Sequence, residues 1–261
     1  MNGFPQPSAD EPIRFGEAEV LPLSCELEEL TLILDSAEAS EPTTAQRTEW
    51  DRRTDSNRRL FNGSILAFAG FDADTRVVHA RRDTYQRLIT QHTDADAERV
   101  VHLSVTGVLL AKDADERVHV LLGKRSNEPA VYPGMWEFAP SGGIDPPSRA
   151  LADLDTPLDG TDVWRQLDVE MQEELDLPGS PDPGRIEGIV LDHAIPSADI
   201  LVVVRFARLL EDMMAAADER GNWEYATTRW IALDDIAEFD RRENELIIPP
   251  ARAVFRYFDL A

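Results

Sequence analysis

The sequence has few of the features that mark membrane-spanning or disulfide-rich proteins. It contains a single cysteine, Cys25, which excludes an internal disulfide framework and a zinc site built from cysteines. No apolar run reaches the roughly 18 residues of a membrane-spanning helix. The first residues also lack the charged and apolar segments of a signal peptide. We therefore expect a cytoplasmic protein with no membrane partner.

Positive charge is also scarce. Lysine and arginine total 26 against 50 aspartates and glutamates, and the formal net charge is −24 at pH 7. Only Lys112 and Lys124 are lysines. Because binding to nucleic acid depends on clustered basic side chains, no nucleic-acid partner is expected. The acidic, lysine-poor composition is typical either of a surface adapted to high salt or of a coding bias towards arginine.

Strand-like and helix-like segments alternate along the chain. With 261 residues, 43% of them hydrophobic, the protein is long enough to bury a sizeable core. Apolar runs predict strands at residues 18–23, 27–34, 64–71, 76–82, 101–111, 118–124, 136–139, 185–194, 200–208 and 223–231. Spacing and capping signals predict helices at residues 44–58, 85–91, 162–175, 209–218, 233–239 and 249–260. This mixture indicates an α/β sandwich with a mixed sheet.

A polar, acidic segment at residues 93–98 divides the chain. Residues 1–98 are predicted to form a small N-terminal α+β module, a candidate for substrate recognition. Residues 99–261 carry the clearer pattern of strands and helices, and are predicted to form the catalytic domain.

One stretch of the second part combines glycines with clustered carboxylates. Gly142 and Gly143 directly follow a short aromatic strand, and Glu170, Glu173 and Glu174 lie further on in a predicted helix. Their i, i+3, i+4 spacing places three carboxylates on one face of a helical turn, where like charges repel. A divalent cation would neutralise them, and hard oxygen ligands suit Mg²⁺ or Mn²⁺. The glycines would let the backbone approach phosphate oxygens closely.

This stretch resembles the signature of Nudix hydrolases, G-x5-E-x7-R-E-U-x-E-E-x-G-U, in which U is a bulky aliphatic residue. The matching positions are Gly143, Glu170, Met171, Glu173, Glu174 and Leu177. The resemblance spans about residues 100–260. It implies a Nudix-type α/β/α sandwich preceded by the N-terminal module, with Glu170, Glu173 and Glu174 as catalytic residues and metal ligands.

The sequence departs from this signature at several positions. Val169 replaces the arginine, Asp176 replaces the late glycine, and about 12 extra residues precede the helix. Without a gap, Arg149 occupies the first acidic position. Three aspartates near it are open alternatives for that role: Asp145, Asp159 and Asp162.

A finer resemblance is to Nudix enzymes that hydrolyse UDP-glucose and UDP-galactose. These enzymes combine an N-terminal module, an insert in the signature and loss of the arginine, and Trp50, Asn57 and residues 60–63 are similar to their pattern. The resemblance implies Mg²⁺-dependent cleavage of a nucleotide substrate, most simply a UDP-sugar giving UMP and sugar 1-phosphate. The alternatives are an ADP-ribose or dinucleotide pyrophosphatase, or a degenerate module that binds a nucleotide without cleaving it.

Further residues are candidates for binding the substrate. Arg125, at the end of a predicted strand, is a candidate phosphate ligand. Tyr132 and Trp136 flank a Pro-Gly turn and are candidates for stacking on a base, although such aromatics more often anchor a core. Gly142 and Gly143 are candidates for backbone contacts to phosphate. Two acids outside the signature are candidates for an additional ligand or base: Glu187 and Asp199.

The acidic composition generates a prediction about stability in salt. If it is an adaptation to salt, we expect the melting temperature to rise between low salt and molar KCl, because added ions screen the repulsion among excess carboxylates. Thermal unfolding across a KCl series measures this. A melting temperature that is indifferent to KCl would leave coding bias as the better explanation.

Overall fold

The computed structural model describes residues 11–36, 39–58, 60–129, 131–146, 157–175, 177, 181–216 and 224–261. These residues form a mixed α/β structure with one large mixed sheet and several helices, which confirms the predicted fold class. Three stretches of interest in the sequence lie outside the described residues. They contain Arg149 and Asp176 of the signature comparison, and the junction between the predicted helix at 209–218 and the predicted strand at 223–231.

Thirteen strands occur in the described part of the chain: β1 (Ile13–Phe15), β2 (Ala18–Cys25), β3 (Thr31–Asp35), β4 (Ser64–Asp72), β5 (Val77–Thr84), β6 (His102–Lys112), β7 (Val118–Arg125), β8 (Trp136–Phe138), β9 (Ser141–Gly143), β10 (Leu158–Asp159), β11 (Arg185–Asp192), β12 (Ser197–Leu209) and β13 (Tyr225–Ala232). The α-helices are α1 (Thr44–Ser56), α2 (Tyr85–Thr90), α3 (Gly160–Glu170), α4 (Leu210–Ala216), α5 (Ile236–Glu243) and α6 (Pro249–Tyr257). A π-helical turn, Met171–Leu175, continues α3.

The sheet is organised around β6. Its strand order is β1-β2-β11-β12-β6-β4-β5-β3-β10, with parallel pairing of β12 to β6 and of β3 to β5. Three strands share the other edge of β6 in turn: β4 at His102, β9 at Ser104–Thr106 and β7 at Leu110–Lys112. β4, β9 and β7 therefore follow one another along this edge of β6.

Helices cover both faces of the sheet. On one face, α3 buries Val163 and Leu167 completely and is followed by buried Met171, the apolar stripe expected of a helix seated on a sheet. On the other face, α5 and α6 bury residues such as Phe239 and Phe255. The core therefore has two layers, one on each side of the strands, as an α/β/α sandwich requires.

Local signals in the sequence placed most elements correctly. Thr43 caps α1, its side chain accepting a hydrogen bond from the Gln46 amide, and β4 and β5 form the predicted hairpin. The predicted strand at residues 27–34 is wrong in its first half. There, Glu26 and Glu29 form a capping box around a 3-10 turn, and β3 begins only at Thr31.

Strands from both sides of the predicted boundary at residue 98 belong to this sheet. β2 pairs with β11 along most of the length of β2, and Ala67 of β4 pairs with His102, the first residue of β6. The division into residues 1–98 and 99–261 stays a prediction. None of the described helices is long and apolar enough to cross a membrane.

The seating of α3 generates a prediction about Gly160, its first residue. A Cβ atom at this position would lie 2.3 Å from the Leu27 carbonyl oxygen, which belongs to rigid backbone. We expect Gly160→Ala to destabilise the protein by about 1–3 kcal/mol, the usual result of overpacking. Urea unfolding measures the change. Gly70→Ala is the matched control, because a Cβ at Gly70 meets nothing within 4 Å; equal stability of the two variants would contradict this account of the contact.

Candidate active site

Residues of β6 and β9 line a cleft of about 660 Å³. Its floor includes β6, β9 and the beginning of β12, and the end of α3 borders it. Residues from the first 98 also line it, among them Arg53, Tyr85 and His92. The cleft is therefore built by both of the predicted parts of the chain.

Gly142 and Glu170 meet at the edge of the cleft. A Cβ atom on Gly142 would lie only 2.2 Å from the Glu170 Oε1 atom, so a side chain at this position would displace the carboxylate. Gln166, one turn earlier in α3, donates a hydrogen bond of 2.8 Å to Glu170 Oε1. A Cβ on Gly143 would lie 2.7 Å from the His102 ring. Both glycines thus allow the backbone of β9 to lie directly against the side chains of Glu170 and His102.

Glu174 connects Glu170 to a fourth carboxylate, Glu224, which precedes β13. The Glu174 side chain is hydrogen-bonded to both. Two carboxyl groups share a hydrogen bond only when one of them carries a proton, and the single proton of a neutral Glu174 can be donated to Glu224 or to Glu170 at one time. Burial, then the hydrogen bond and charge of Glu224, raise the pKa of Glu174 well above its usual range. Burial also raises the pKa of Glu170.

Arg125 binds the two carboxylates of this group that do not belong to α3 or its π turn. Its guanidinium forms ion pairs with Glu137 of β8 and, at 3.2 Å, with Glu224. Its Nε donates to the Val131 carbonyl at 3.1 Å. Burial raises the pKa of Glu137 to about 7, although the Arg125 charge opposes the shift. Arg125 lines the cleft. Its guanidinium is engaged by Glu137 and Glu224 and positions both, and its role as a phosphate ligand stays a prediction.

Glu173 does not lie with the other helix carboxylates. Its side chain is exposed and is not part of the cleft lining, whereas Glu170 and Glu174 are. The reason is the π-helical turn. The expectation that i, i+3 and i+4 share a face assumes about 3.6 residues per turn, and a π turn contains more. Glu173, three positions after Glu170, is therefore rotated away from it. Glu174, four positions after Glu170, stays on the same face. Within the described residues, no set of three or more histidine, cysteine, aspartate or glutamate side chains has the geometry of a formed metal site.

The two candidate aromatic residues have different positions. Tyr132 lines the cleft, and its hydroxyl donates a hydrogen bond of 2.6 Å to Asp192. Trp136 is 1% exposed and packs edge-on against Phe239, with its indole N–H donating to Glu243. Trp136, in β8, is thus a core residue and does not line the cleft.

Among the acids outside the signature, the structure separates the two candidates. Asp199 lines the cleft. Glu187 is buried elsewhere, where it accepts a hydrogen bond from Ser24. Sequence reasoning missed Glu137 and Glu224. Glu137 offered a usable signal, because an acidic residue between Trp136 and Phe138 breaks an otherwise apolar strand.

The raised pKa of Glu174 generates a prediction about metal-free protein. In the unfolded chain a glutamate ionises near its usual pKa of about 4.3, so the folded state loses stability as the pH rises above that value. We expect Glu174→Gln, measured in EDTA, to melt roughly 2–4 °C above the wild type near neutral pH, with the gap closing towards pH 4. Glu238→Gln, an exposed change on α5, is the control. A gap that does not depend on pH would contradict the assignment.

Comparison with known proteins gives structural similarities at low identity. No family model and no curated protein matches the chain. A MutT protein from Methanosarcina mazei is 21% identical, covers 60% of this chain and 92% of its own, and has a TM-score of 0.41. A Nudix hydrolase from M. smegmatis, RenU, is 18% identical over 59% and 81% of the chains, with a TM-score of 0.39. A Nudix hydrolase from Alicyclobacillus acidocaldarius is 15% identical over 62% and 92%, with a TM-score of 0.43. At these scores the similarities do not establish a family.

Proposed function

We propose that this protein is a Nudix-type hydrolase that cleaves the pyrophosphate bond of a nucleoside diphosphate-linked substrate with the help of a divalent cation. The observation that carries the proposal is the contact of Gly142 with Glu170, next to the hydrogen-bonded Glu174 and Glu224. This contact brings a strand without side chains at Gly142 and Gly143, which leaves its backbone accessible to phosphate, next to carboxylate oxygens at the end of α3. The Nudix signature joins the same two features.

The carboxylate cluster fits a hard cation by its donor chemistry. Four carboxyl groups converge here, and burial raises the pKa of Glu137, Glu170 and Glu174. Such crowding is unfavourable until positive charge is supplied, and carboxylate oxygens are the ligands that Mg²⁺ and Mn²⁺ prefer. We assign Glu170, Glu174 and Glu224 as the groups that would hold the cation. When bound, it would neutralise the diphosphate and lower the pKa of a coordinated water.

The protein side chains and backbone would position the carboxylates and leave room for the phosphates. Arg125 fixes Glu137 and Glu224 through its two ion pairs, so the carboxylates on β8 and before β13 are preorganised. Gly142 and Gly143 leave room for phosphate oxygens beside β9. Glu174 must give up its proton when a cation binds, which makes cation binding pH-dependent.

A UDP-sugar is our first choice of substrate, with UMP and sugar 1-phosphate as products. A cleft of about 660 Å³ lies within the ordinary range of small-molecule sites, roughly 300–1,000 Å³. Part of its wall comes from residues 1–98, as expected if that part recognises the substrate. The absence of the signature arginine, with Val169 40% exposed in its place, is the observation that favours the rival, a module that binds a nucleotide without cleaving it. The cytoplasmic location is also part of this proposal.

The first prediction of this proposal concerns turnover. We expect purified protein to release sugar 1-phosphate from UDP-glucose or UDP-galactose with Mg²⁺ or Mn²⁺ and to be inactive in EDTA, because the diphosphate needs neutralisation before attack. A panel that includes ADP-ribose and dinucleotides ranks the substrates. Binding without turnover across the whole panel would favour the non-catalytic module.

The second prediction concerns the helix carboxylates. Glu174→Gln keeps size but removes one charged ligand, so kcat should fall on the order of 10²-fold. Glu238→Gln, the exposed control, should keep normal kcat. Near-normal turnover of Glu174→Gln would contradict the proposed cation site. Glu173→Gln tests the exposed position: a loss as large as that of Glu174→Gln would return Glu173 to the site.

A further inference from the structure

Tyr225, the first residue of β13, directly follows Glu224, which we assign to the cation site. It is only 4% exposed, and its ring lies over Gly123 of β7. A Cβ atom at Gly123 would lie 2.5 Å from the Tyr225 Cδ1 atom and 3.0 Å from the Ala139 Cβ atom. A side chain at position 123 would therefore displace the ring, and the glycine leaves the space that the ring occupies.

Tyr225 and Glu137 lie on the face of the sheet that α3 covers. Leu121, two residues before Gly123 in β7, packs in the same core layer as the buried side chains of α3. Because side chains alternate along a strand, a substituent at Gly123 would point to that face as well. Glu137 of β8 is paired with Gly123, and Tyr225 of β13 is paired with Arg125. The Tyr225 ring, Arg125 and Glu137 are therefore neighbours across three strands on one face.

The Tyr225 hydroxyl group donates a hydrogen bond to the Glu137 carboxylate, which opposes the effect of burial on the pKa of Glu137. The phenol itself stays neutral, because burial, together with the charges of Glu137 and Glu174, raises the pKa of Tyr225 well above its usual range. Tyr225 is thus a neutral donor among carboxylates. It orients one of them without adding charge to the group.

Glu137 is also one of the two carboxylates that share Arg125. The guanidinium pairs with Glu137 and, at 3.2 Å, with Glu224, so Glu137 is held by two donors. Two donors restrict the orientation of the Glu137 carboxylate, and Glu137 in turn fixes the guanidinium. Without the Tyr225 hydroxyl, Glu137 can rotate and the guanidinium loses its place beside Glu224. The position of Glu224 then changes although none of its own contacts has been removed.

A β-bulge directly after Tyr225 separates this residue from the regular part of β13. The register of β13 against β7 shifts between Tyr225 and Thr227. The backbone just before the bulge is also held by β7's end, because the Ser126 amide donates a hydrogen bond of 2.7 Å to the Glu224 carbonyl oxygen. Bulges of this kind re-aim side chains and are frequent beside active sites. The backbone thus supports a special placement of Glu224 and Tyr225.

We propose that Tyr225 is a positioning residue of the cation site, which holds Glu137 against Arg125 and through Arg125 sets the position of Glu224. Gly123 belongs to the same arrangement, because it makes room for the ring. The inference rests on the proposed function for the identity of the cation site. It adds two residues that act on cation binding through Glu137.

Mn²⁺ binding to the substrate-free protein tests this role, because it does not depend on turnover. Titration followed by the electron paramagnetic resonance signal of free Mn²⁺ gives the dissociation constant. Tyr225→Phe keeps the ring on Gly123 and removes only the hydroxyl group. We expect it to bind Mn²⁺ about 10-fold more weakly, as is typical when a partner of a metal ligand is lost. Gly123→Ala keeps the hydroxyl but displaces the ring; it should act in the same direction, and it decides the question should Tyr225→Phe fail to fold.

Tyr257→Phe is the matched control. Tyr257 is also buried, and its hydroxyl donates a hydrogen bond of 2.7 Å to the Glu187 carbonyl oxygen, away from the residues that line the cleft. Both tyrosine variants should lose stability in urea, but only Tyr225→Phe should lose Mn²⁺ affinity. A second comparison places Tyr225→Phe in a Glu137→Gln background. There it should change Mn²⁺ affinity by less than about 2-fold, because the ion pair to Arg125 is already lost.

The outcomes separate this inference from the proposed function. Unchanged Mn²⁺ affinity of folded Tyr225→Phe would overturn the role of Tyr225 and leave the cation site in place. An equal loss of affinity in Tyr257→Phe, or an undiminished effect in the Glu137→Gln background, would also overturn that role. A wild type that does not bind Mn²⁺ would overturn the cation site and this inference together. The expected loss of affinity in a protein that hydrolyses no nucleotide would support the positioning role and contradict the hydrolase.

Discussion

The two ion pairs of Arg125 are the interaction on which the rest of the site depends. They join β7 to β8 and to the residue before β13, and so fix Glu137 and Glu224 at one side of the cleft. The Arg125 side chain is only 13% exposed. Removing it would take the positive charge away from two largely buried carboxylates, which is far more unfavourable than the loss of an exposed pair. Arg125 is therefore an anchor of the acidic site.

One arginine does not balance this cluster. Glu170 and Glu174 reach the same cleft from the end of α3, and the hydrogen bond from Glu174 to Glu224 requires a proton that a glutamate holds at neutral pH only when its pKa is raised. Without a cation, the carboxylates of the cleft therefore repel one another, and the fold holds them close together. A bound cation relieves this repulsion more fully than protonation does, because it interacts with several oxygens at once. The same excess of negative charge that argues against nucleic-acid binding would, in the proposed function, be what holds the cation that accompanies a diphosphate.

Much of the fold follows from local patterns, and the site follows only in part. The cap at Thr43, the hairpin of β4 and β5 and the stripe through Val163 and Leu167 depend on near neighbours in sequence, so spacing and residue type predicted them. Glu224 was missed because its role depends on Arg125, 99 residues earlier, and no local pattern encodes that pairing. Trp136 was an ambiguous candidate because an aromatic residue beside a turn suits a core as well as a binding site.

Helical geometry explains why only two of the three signature carboxylates face the cleft. The spacing of Glu170, Glu173 and Glu174 was interpreted with the period of an α-helix, and the change to a π turn at Met171 alters that period just where Glu173 and Glu174 lie. π turns are frequent at functional sites, where they re-aim side chains.

Polar residues on two strands show the same principle. On β6 and β12 the period of two is kept, but His102, Ser104, Thr106, Ser197 and Asp199 replace apolar residues on one face over a short length. Burying hydroxyls and a carboxylate there is unfavourable unless they are hydrogen-bonded, and Ser197 and Thr106 both donate to Asp199. The face becomes apolar again as soon as α5 and α6 cover it. The residues on this face of β6 and β12 are therefore apolar where helices cover them and polar where the cleft begins. This change in polarity marks the floor of the cleft.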